Sequence, residues 1–291
     1  MIVTLDAFSG RPNPSWVLEE NDRQALIGRV AGSMLATEAS EVRGGLGFRG
    51  YTVSTASDDD TAVEDAGLPE TFRIPAAALG GGAGFSADDA LDAARWLLTT
   101  GHGAVEDDVL QAVADQMASS PRTYSNTSEA EDDVGVDDLF PSAAAACVIQ
   151  NTAYNAGFWN AAAVQPNNNC YNYSMNFRSD SFAQPGTISG HPNQVMQCAN
   201  VATAANWDGC EATCSGPNKN VALVIWPGTD YHWYRRHSNG FWGHKPGQTA
   251  ARNTDNSGKV IGGALSPANC DRGPYTIFCG YRYSPVGMKV R

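Results

Sequence analysis

The first 140 residues contain neither lysine nor cysteine, and this absence divides the chain. They carry 25 Asp and Glu residues against 8 Arg, a formal charge of −17. Residues 141–291 carry only 6 acidic side chains against 11 Lys and Arg, a formal charge of +5. An acidic half repels polyanions, and the basic residues of the other half are scattered along the sequence. We therefore predict no nucleic-acid partner.

Several common signals are also missing. No stretch approaches the roughly 20 apolar residues that a membrane-spanning helix needs. The first residues, MIVTLDAFSGR, lack the basic region and apolar run of a signal peptide. The chain has no CxxC pair and no HExxH helix, which are common zinc-binding patterns. We predict no membrane span, no Sec-type signal, no metal and no cofactor.

What is present predicts an α+β protein of two domains. Residues 1–120 alternate β-like runs (IVTLDAF, LGFRGYTVS, TFRIPA) with three segments of helical spacing, which indicates a small acidic α+β domain. Residues 121–140 have the polar, acidic composition of a linker. Residues 141–291 contain most of the aromatics and short β-runs such as VALVIW and YHWYRR. This part is predicted to be a β-rich domain with one or two helices.

The seven cysteines all fall in the second domain, between residues 147 and 279. An odd number allows three disulfides and one free thiol. Disulfides suggest an extracellular or exported protein, by an export route that is unclear. Reduced cytosolic thiols would leave the same sequence. Cys270 and Cys279 could close a short loop, and the three cysteines from 198 to 214 could pair among themselves. Cys170 is predicted to be the unpaired one.

Cys170 is also the candidate nucleophile. It follows three asparagines, which are good capping residues, so it is expected in the first turn of a short helix, where the helix dipole lowers a thiol pKa. The side chains of Gln165 and Asn169 could supply an oxyanion donor for acyl transfer. The structural alternative is a half-cystine in a disulfide-stapled loop.

Two histidines could complete such a site. In VALVIWPGTDYHWYRRHSNGFWGH, His232 begins one predicted strand and His244 ends the next. A base on one strand, oriented by a polar group on its neighbour, is a workable arrangement for proton transfer. His102, His191 and His237 lie in predicted loops and are expected to be solvated.

The turn between these two strands decides whether the two histidines can meet. A tight two-residue turn would place His244 opposite Arg235, facing away from His232. A three-residue loop ending in a left-handed Gly240 would place His244 opposite Tyr234 and diagonal to His232. We favour the second register, because glycine as the third residue suits that loop.

The order of Cys170, His232 and His244 resembles NlpC-type cell-wall peptidases, a bacterial branch of the papain-like cysteine hydrolases. The resemblance covers about 80 residues, and the family's Asp-Cys-Ser-Gly is replaced by Asn-Cys-Tyr-Asn. It implies a papain-like C-terminal domain and a thiol hydrolase or acyltransferase acting on an amide bond of a peptide or cell-wall glycopeptide. In that role Cys170 would be the nucleophile, His232 the general base and His244 its orienter.

A second resemblance competes with the first. The segments NNNCYNY, FAQPG, HWYRRHSNGFWGHKPGQT and DRGPYTIFCGY, spread over residues 165–283, resemble uncharacterised bacterial proteins and an insoluble shell matrix protein of molluscs. This resemblance implies a non-catalytic, disulfide-stabilised extracellular protein of a matrix or surface assembly, with self-assembly as its interaction. A third hypothesis is a glycan-binding module that uses Trp207, Trp233 or Trp242 as sugar platforms, although tryptophans on strands more often belong to a core.

Overall fold

The computed structural model describes residues 1–31, 45–55, 61–76, 87–118 and 146–291. The chain forms two compact units, one of Met1–Ala7 with Asn13–Arg122 and one of Phe8–Pro12 with Thr123–Arg291. The segment Phe8–Pro12 therefore belongs to the second unit, although its position in the sequence suggested the first. The predicted linker 121–140 lies outside the described residues. Within the described ranges, no helix is long and apolar enough to cross a membrane.

The first unit is an antiparallel sheet with helices. Its strands are β1 (Ile2–Asp6), β2 (Ser15–Val17), β3 (Gly50–Ser54) and β4 (Thr71–Pro75), in the order β2-β1-β3-β4. Its helices are α1 (Glu20–Val30), α2 (Thr61–Asp65), α3 (Ala87–Thr100) and α4 (Asp107–Ala118). Alternation along the strands buries cross-strand pairs such as Val3 with Val53 and Leu5 with Tyr51. The α+β class predicted from the sequence is confirmed.

The second unit is built on a five-stranded sheet. Its strands are β5 (Val148–Ile149), β6 (Pro217–Trp226), β7 (Asp230–Arg236), β8 (Trp242–His244) and β9 (Ile277–Pro285). The order is β5-β6-β7-β8, with β9 paired to β6. Its helices are α5 (Ala156–Asn160), α6 (Cys170–Met175) and α7 (Cys198–Trp207). Residues 221–226 of β6 are all buried, as expected for an apolar run at the centre of a sheet.

The two faces of β7 have different surroundings. Tyr231 and Trp233 join the main core with Cys170 and the alternate residues 221, 223 and 225 of β6. Because side chains alternate along a strand, His232 and Tyr234 are directed to the other face, where their rings contact each other. The candidate nucleophile thus packs on one side of β7 and the candidate base projects from the other.

The disulfides differ from those predicted. Cys147 pairs with Cys214, and Cys198 pairs with Cys279. The predicted loop from Cys270 to Cys279 is wrong, and so is the pairing among the three cysteines from 198 to 214. Both disulfides join segments that are far apart in sequence. The prediction failed because it favoured pairs of cysteines that are close in sequence. Cys170 lies outside both disulfides, as predicted, but so do two further buried cysteines, Cys210 and Cys270.

Candidate functional site

Cys170 begins helix α6, as predicted. The Asn169 side-chain oxygen accepts hydrogen bonds from the backbone N–H groups of Tyr171 and Asn172, at 3.0 and 3.1 Å. The Asn172 side chain in turn accepts from the backbone N–H of Asn169 at 3.1 Å, which completes a capping box. These reciprocal bonds explain why so short a helix begins at this residue.

The thiol of Cys170 is fully buried in the core. Its Sγ lies 4.0 Å from the carbonyl oxygen of Tyr231, and it also interacts with the backbone N–H of Trp233. The sulfur therefore lies against the backbone on either side of His232. Burial raises the pKa of Cys170 well above its usual range, and the nearby Asp230 carboxylate raises it further. The predicted lowering of this pKa is wrong, because desolvation outweighs the dipole of a six-residue helix.

The histidine pair forms as the favoured register requires. His244 lies opposite Tyr234, and Gly240 has φ +86°, so the prediction of a three-residue loop with a left-handed glycine is confirmed. His232 Nε2 and His244 Nδ1 are 2.9 Å apart, and His244 Nε2 is 2.9 Å from the carbonyl oxygen of Thr254. The carbonyl must accept, so His244 Nε2 carries a proton.

His244 is held in its neutral form. Burial and the nearby Arg252 lower its pKa to about 3, against the opposing effect of the Thr254 carbonyl. A neutral imidazole bearing its proton on Nε2 accepts through Nδ1, so it receives a hydrogen bond from His232 Nε2. This tautomer arrangement gives both ring nitrogens of His244, and Nε2 of His232, a hydrogen-bond partner inside the protein.

Of the two predicted oxyanion donors, Asn169 directly precedes Cys170, and its side-chain amide has other partners. The Asn169 amide donates to the carbonyl oxygens of Gly10 and Ala183, at 2.8 and 2.7 Å. Gln165 lies in a short 3-10 helix, Gln165–Asn167, and its backbone carbonyl accepts from the Lys245 ammonium at 2.5 Å. Asn169 therefore serves as a cap and as a bridge between chain segments.

Two buried charges near this site were not identified from the sequence. Lys245 donates to the backbone carbonyls of Gln165, Asn168 and Gly247. It directly follows His244, and a lone lysine at the end of a β-run normally indicates a solvated position. No local pattern in the sequence marks it as buried.

Asp230, the other buried charge, organises the segment Phe8–Pro12. Its carboxylate accepts from the backbone N–H groups of Ser9, Gly10 and Arg11, at 2.5, 3.2 and 3.0 Å, and from the Tyr275 hydroxyl at 2.5 Å. Burial raises the pKa of Asp230, while these hydrogen bonds lower it. The group thus anchors a segment more than 200 positions away in the sequence.

Glycine is required within this segment. A Cβ atom at Gly10 would lie 2.5 Å from the ring of Tyr231, whose hydroxyl contacts the Gly10 carbonyl oxygen at 3.3 Å. The segment lies within residues 1–120, which the sequence assigned to the first domain. Its place in the second unit depends on contacts with residues distant in sequence.

The remaining histidines and tryptophans separate by exposure. His237 was predicted to be solvated, and this is wrong: it is buried, with Nε2 at 2.7 Å from the Tyr173 hydroxyl. His191 is exposed, as expected, and stacks on Trp207, which is 58% exposed. Trp233 is a core residue, as the structural alternative required.

Chemically, the site is closed. Cys170, His232 and His244 are each fully buried, and the two imidazoles bond to each other and to the carbonyl oxygen of Thr254. Nucleophilic catalysis requires a thiolate that a substrate can reach, and burial opposes both conditions. In the part of the chain that the structure describes, no cluster of three His, Cys, Asp or Glu side chains could hold a metal ion.

These features define the second unit as a disulfide-bonded, β-rich domain with a closed polar network beneath its surface. Over 144 residues the chain is 43% identical to insoluble matrix shell protein 1 of Ruditapes philippinarum, a match that covers 48% of this chain and 94% of that relative. The chain belongs to the family of this shell matrix protein. No protein-family model matches the chain, and no solved structure matches it. The comparisons thus give no support to the NlpC resemblance, which rests on Cys170, His232 and His244.

Proposed function

We propose that this protein is a non-catalytic, disulfide-stabilised component of an extracellular matrix or surface assembly. The observation that carries the proposal is the 43% identity to a shell matrix protein across nearly the whole of that relative. Two disulfides fit an oxidising, extracellular location. In this role the histidine pair and the buried Cys170 serve to hold the core.

The burial of the thiols supports the same proposal. Burial raises the pKa of Cys210 and of Cys270 to about 12, and it raises the pKa of Cys170 well above the usual range. All three are therefore protonated at neutral pH. A thiol becomes reactive through its thiolate. Cys170 therefore resembles Cys210 and Cys270 in having a raised pKa and a protonated sulfur.

A second candidate function is a thiol hydrolase or acyltransferase acting on a peptide or glycopeptide amide. It is favoured by the 2.9 Å contact between His232 and His244 and by the position of Cys170 at the start of α6. In this function His232 would take the thiol proton and His244 would orient His232. The function requires the site to open, since a substrate must reach the sulfur. It also requires a rearrangement of β7, because Cys170 and His232 lie on opposite faces of that strand.

Native alkylation separates the two functions without any substitution. The oxidised full chain is treated with iodoacetamide from pH 6 to pH 9, and modified cysteines are mapped by mass spectrometry. We expect Cys170, Cys210 and Cys270 to react at similarly low rates, at least about a hundredfold below their rates in denaturant. Fast modification confined to Cys170 near neutral pH would overturn the non-catalytic proposal.

The assembly half of the proposal has its own measurement. The same oxidised preparation is followed by light scattering and sedimentation as its concentration rises. We expect particles larger than the monomer to form and to pellet. A chain that stays monomeric at every concentration would contradict self-assembly.

A further inference from the structure

An open cleft of about 610 Å³ lies on the sheet of the second unit. It is lined by residues of four strands, with Asn220 from β6, Arg236 from β7, Trp242 from β8 and Tyr281 from β9. Its volume falls within the range of small-ligand sites. Its lining residues are distinct from Cys170, His232 and His244.

Exposed aromatic rings form one side of this cleft. Tyr281 is 45% exposed and stacks on Trp242, with ring centroids 5.4 Å apart and an interplanar angle of 30°. Phe241 is 38% exposed, and its ring lies against Gly262, where a Cβ atom would come within 2.2 Å of it. Packing therefore fixes these rings while leaving part of their surfaces open.

Polar groups line the rest of the cleft. Asn220 is held by Asn151 through two hydrogen bonds, one from its backbone N–H at 2.9 Å and one to its side-chain oxygen at 3.0 Å. Asn239, in the loop before β8, is exposed. Arg236 carries the only charge among the described lining residues, and none of those residues is acidic.

This combination fits one class of ligand. A pyranose ring has an apolar C–H face that packs on an aromatic ring and a rim of hydroxyls that bond to amides. A polyanion would require several cations, and Arg236 is one. An amphipathic helix would require a continuous apolar groove, which the polar lining residues interrupt. We propose that this cleft binds a neutral polysaccharide, with Tyr281 and Phe241 as the platform for sugar rings.

The inference rests on the cleft alone and does not depend on the matrix function. The test is native electrophoresis of the oxidised full chain through gels that contain one soluble polysaccharide each. The neutral probes are a β-glucan, an α-glucan, a mannan and glycol chitin, and the acidic probe is polygalacturonate. We expect at least one neutral gel to retard the protein, with a Kd obtained from the concentration series.

Matched variants locate the binding. Tyr281→Ala should weaken binding by about tenfold, whereas Tyr281→Phe, which keeps the ring, should change it little. Phe241→Ala provides a second variant of the cleft at another partly exposed ring. Phe158→Ala is the control, because it removes an exposed aromatic ring that is absent from the cleft lining. Trp207→Ala tests the other exposed ring that the sequence offered as a sugar platform.

Three outcomes would overturn the proposal. The first is migration unchanged in every neutral gel. The second is retardation that does not depend on the cleft, shown either by equal retardation of the wild type, Tyr281→Ala and Phe241→Ala or by loss of retardation in Trp207→Ala alone. The third is retardation confined to the acidic gel and abolished by Arg236→Gln, which would make the cleft a polyanion site. Circular dichroism of each variant establishes that it is folded.

Discussion

The two units stabilise buried charge in different ways. In the first unit, Asp6 contacts two cations, with Arg49 at 2.5 Å and Arg73 at 2.6 Å. In the second unit, Asp230 accepts from three backbone N–H groups, and Lys245 donates to three backbone carbonyls. The second unit, which has few ionisable side chains, thus uses backbone peptide groups as the partners of these buried charges. The buried charges of the second unit depend on the path of the chain. In the first unit, Arg49 also donates to backbone carbonyls, but it has the Asp6 carboxylate as a counter-charge as well.

The two units also differ in their disulfides. The first unit has no cysteine, and the second holds both disulfides, which span 67 and 81 positions. Disulfides that close long loops restrict the unfolded chain most in the chain-entropy account. The second unit therefore relies on a constraint that a reducing agent removes, and the first does not.

Reduction should give the largest difference between the units. Loops of this length correspond to about 4 kcal/mol of stabilisation per disulfide. Calorimetry with and without a phosphine reductant is expected to show a large fall in the unfolding temperature of the second unit and an unchanged transition for the first. The paired substitution of Cys198 and Cys279 by Ser should reproduce part of this fall without reductant. Equal shifts of both transitions would show that the disulfides do not stabilise the second unit alone.

Removing the charge of Asp6 should be the next largest effect. Burial raises the pKa of Asp6, but Arg49 and Arg73 outweigh it and lower the pKa to about 2. Asp6→Asn leaves the buried Arg49 without a counter-charge, so we expect a loss of about 3 kcal/mol from the first unit in urea unfolding. Glu20→Gln is the control, since it breaks an exposed ion pair with Arg23 and should leave the midpoint unchanged.

Local patterns in the sequence predicted local structure well. The apolar run VALVIW gave β6, and the Ser-Asn-Gly loop gave the register that joins His232 to His244. These features depend on the periodicity of a few residues and on the conformational freedom of Gly240. The same patterns also placed Cys170 at a helix start.

Features set by contacts between distant segments could not be predicted. The pairing of Cys198 with Cys279 and the bonds from Asp230 to residues 9–11 depend on how the chain returns to itself. His237 shows the same limit, because its position beside a turn says nothing about the segment that covers it. The pKa of Cys170 was misjudged because burial, and not the helix start, determines it.

Acid should distinguish the units by an effect that is smaller for each histidine concerned. The pKa of His244 is about 3 in the folded chain, well below its ordinary value of 6.5. Below pH 6.5 the unfolded chain takes up a proton that the folded chain does not, so stability is complete above that pH and falls as the pH decreases toward 3. From pH 8 to pH 5 this linkage amounts to about 2 kcal/mol. His237, whose pKa is lowered to about 4, acts in the same direction.

Urea unfolding from pH 8 to pH 5 should therefore show that the second unit loses stability. The first unit, whose Asp6 has a pKa of about 2, should keep a constant stability. His244→Gln should remove about half of the slope of the second unit's profile, since His237 still contributes. An unchanged slope in this variant would show that other groups take up the proton.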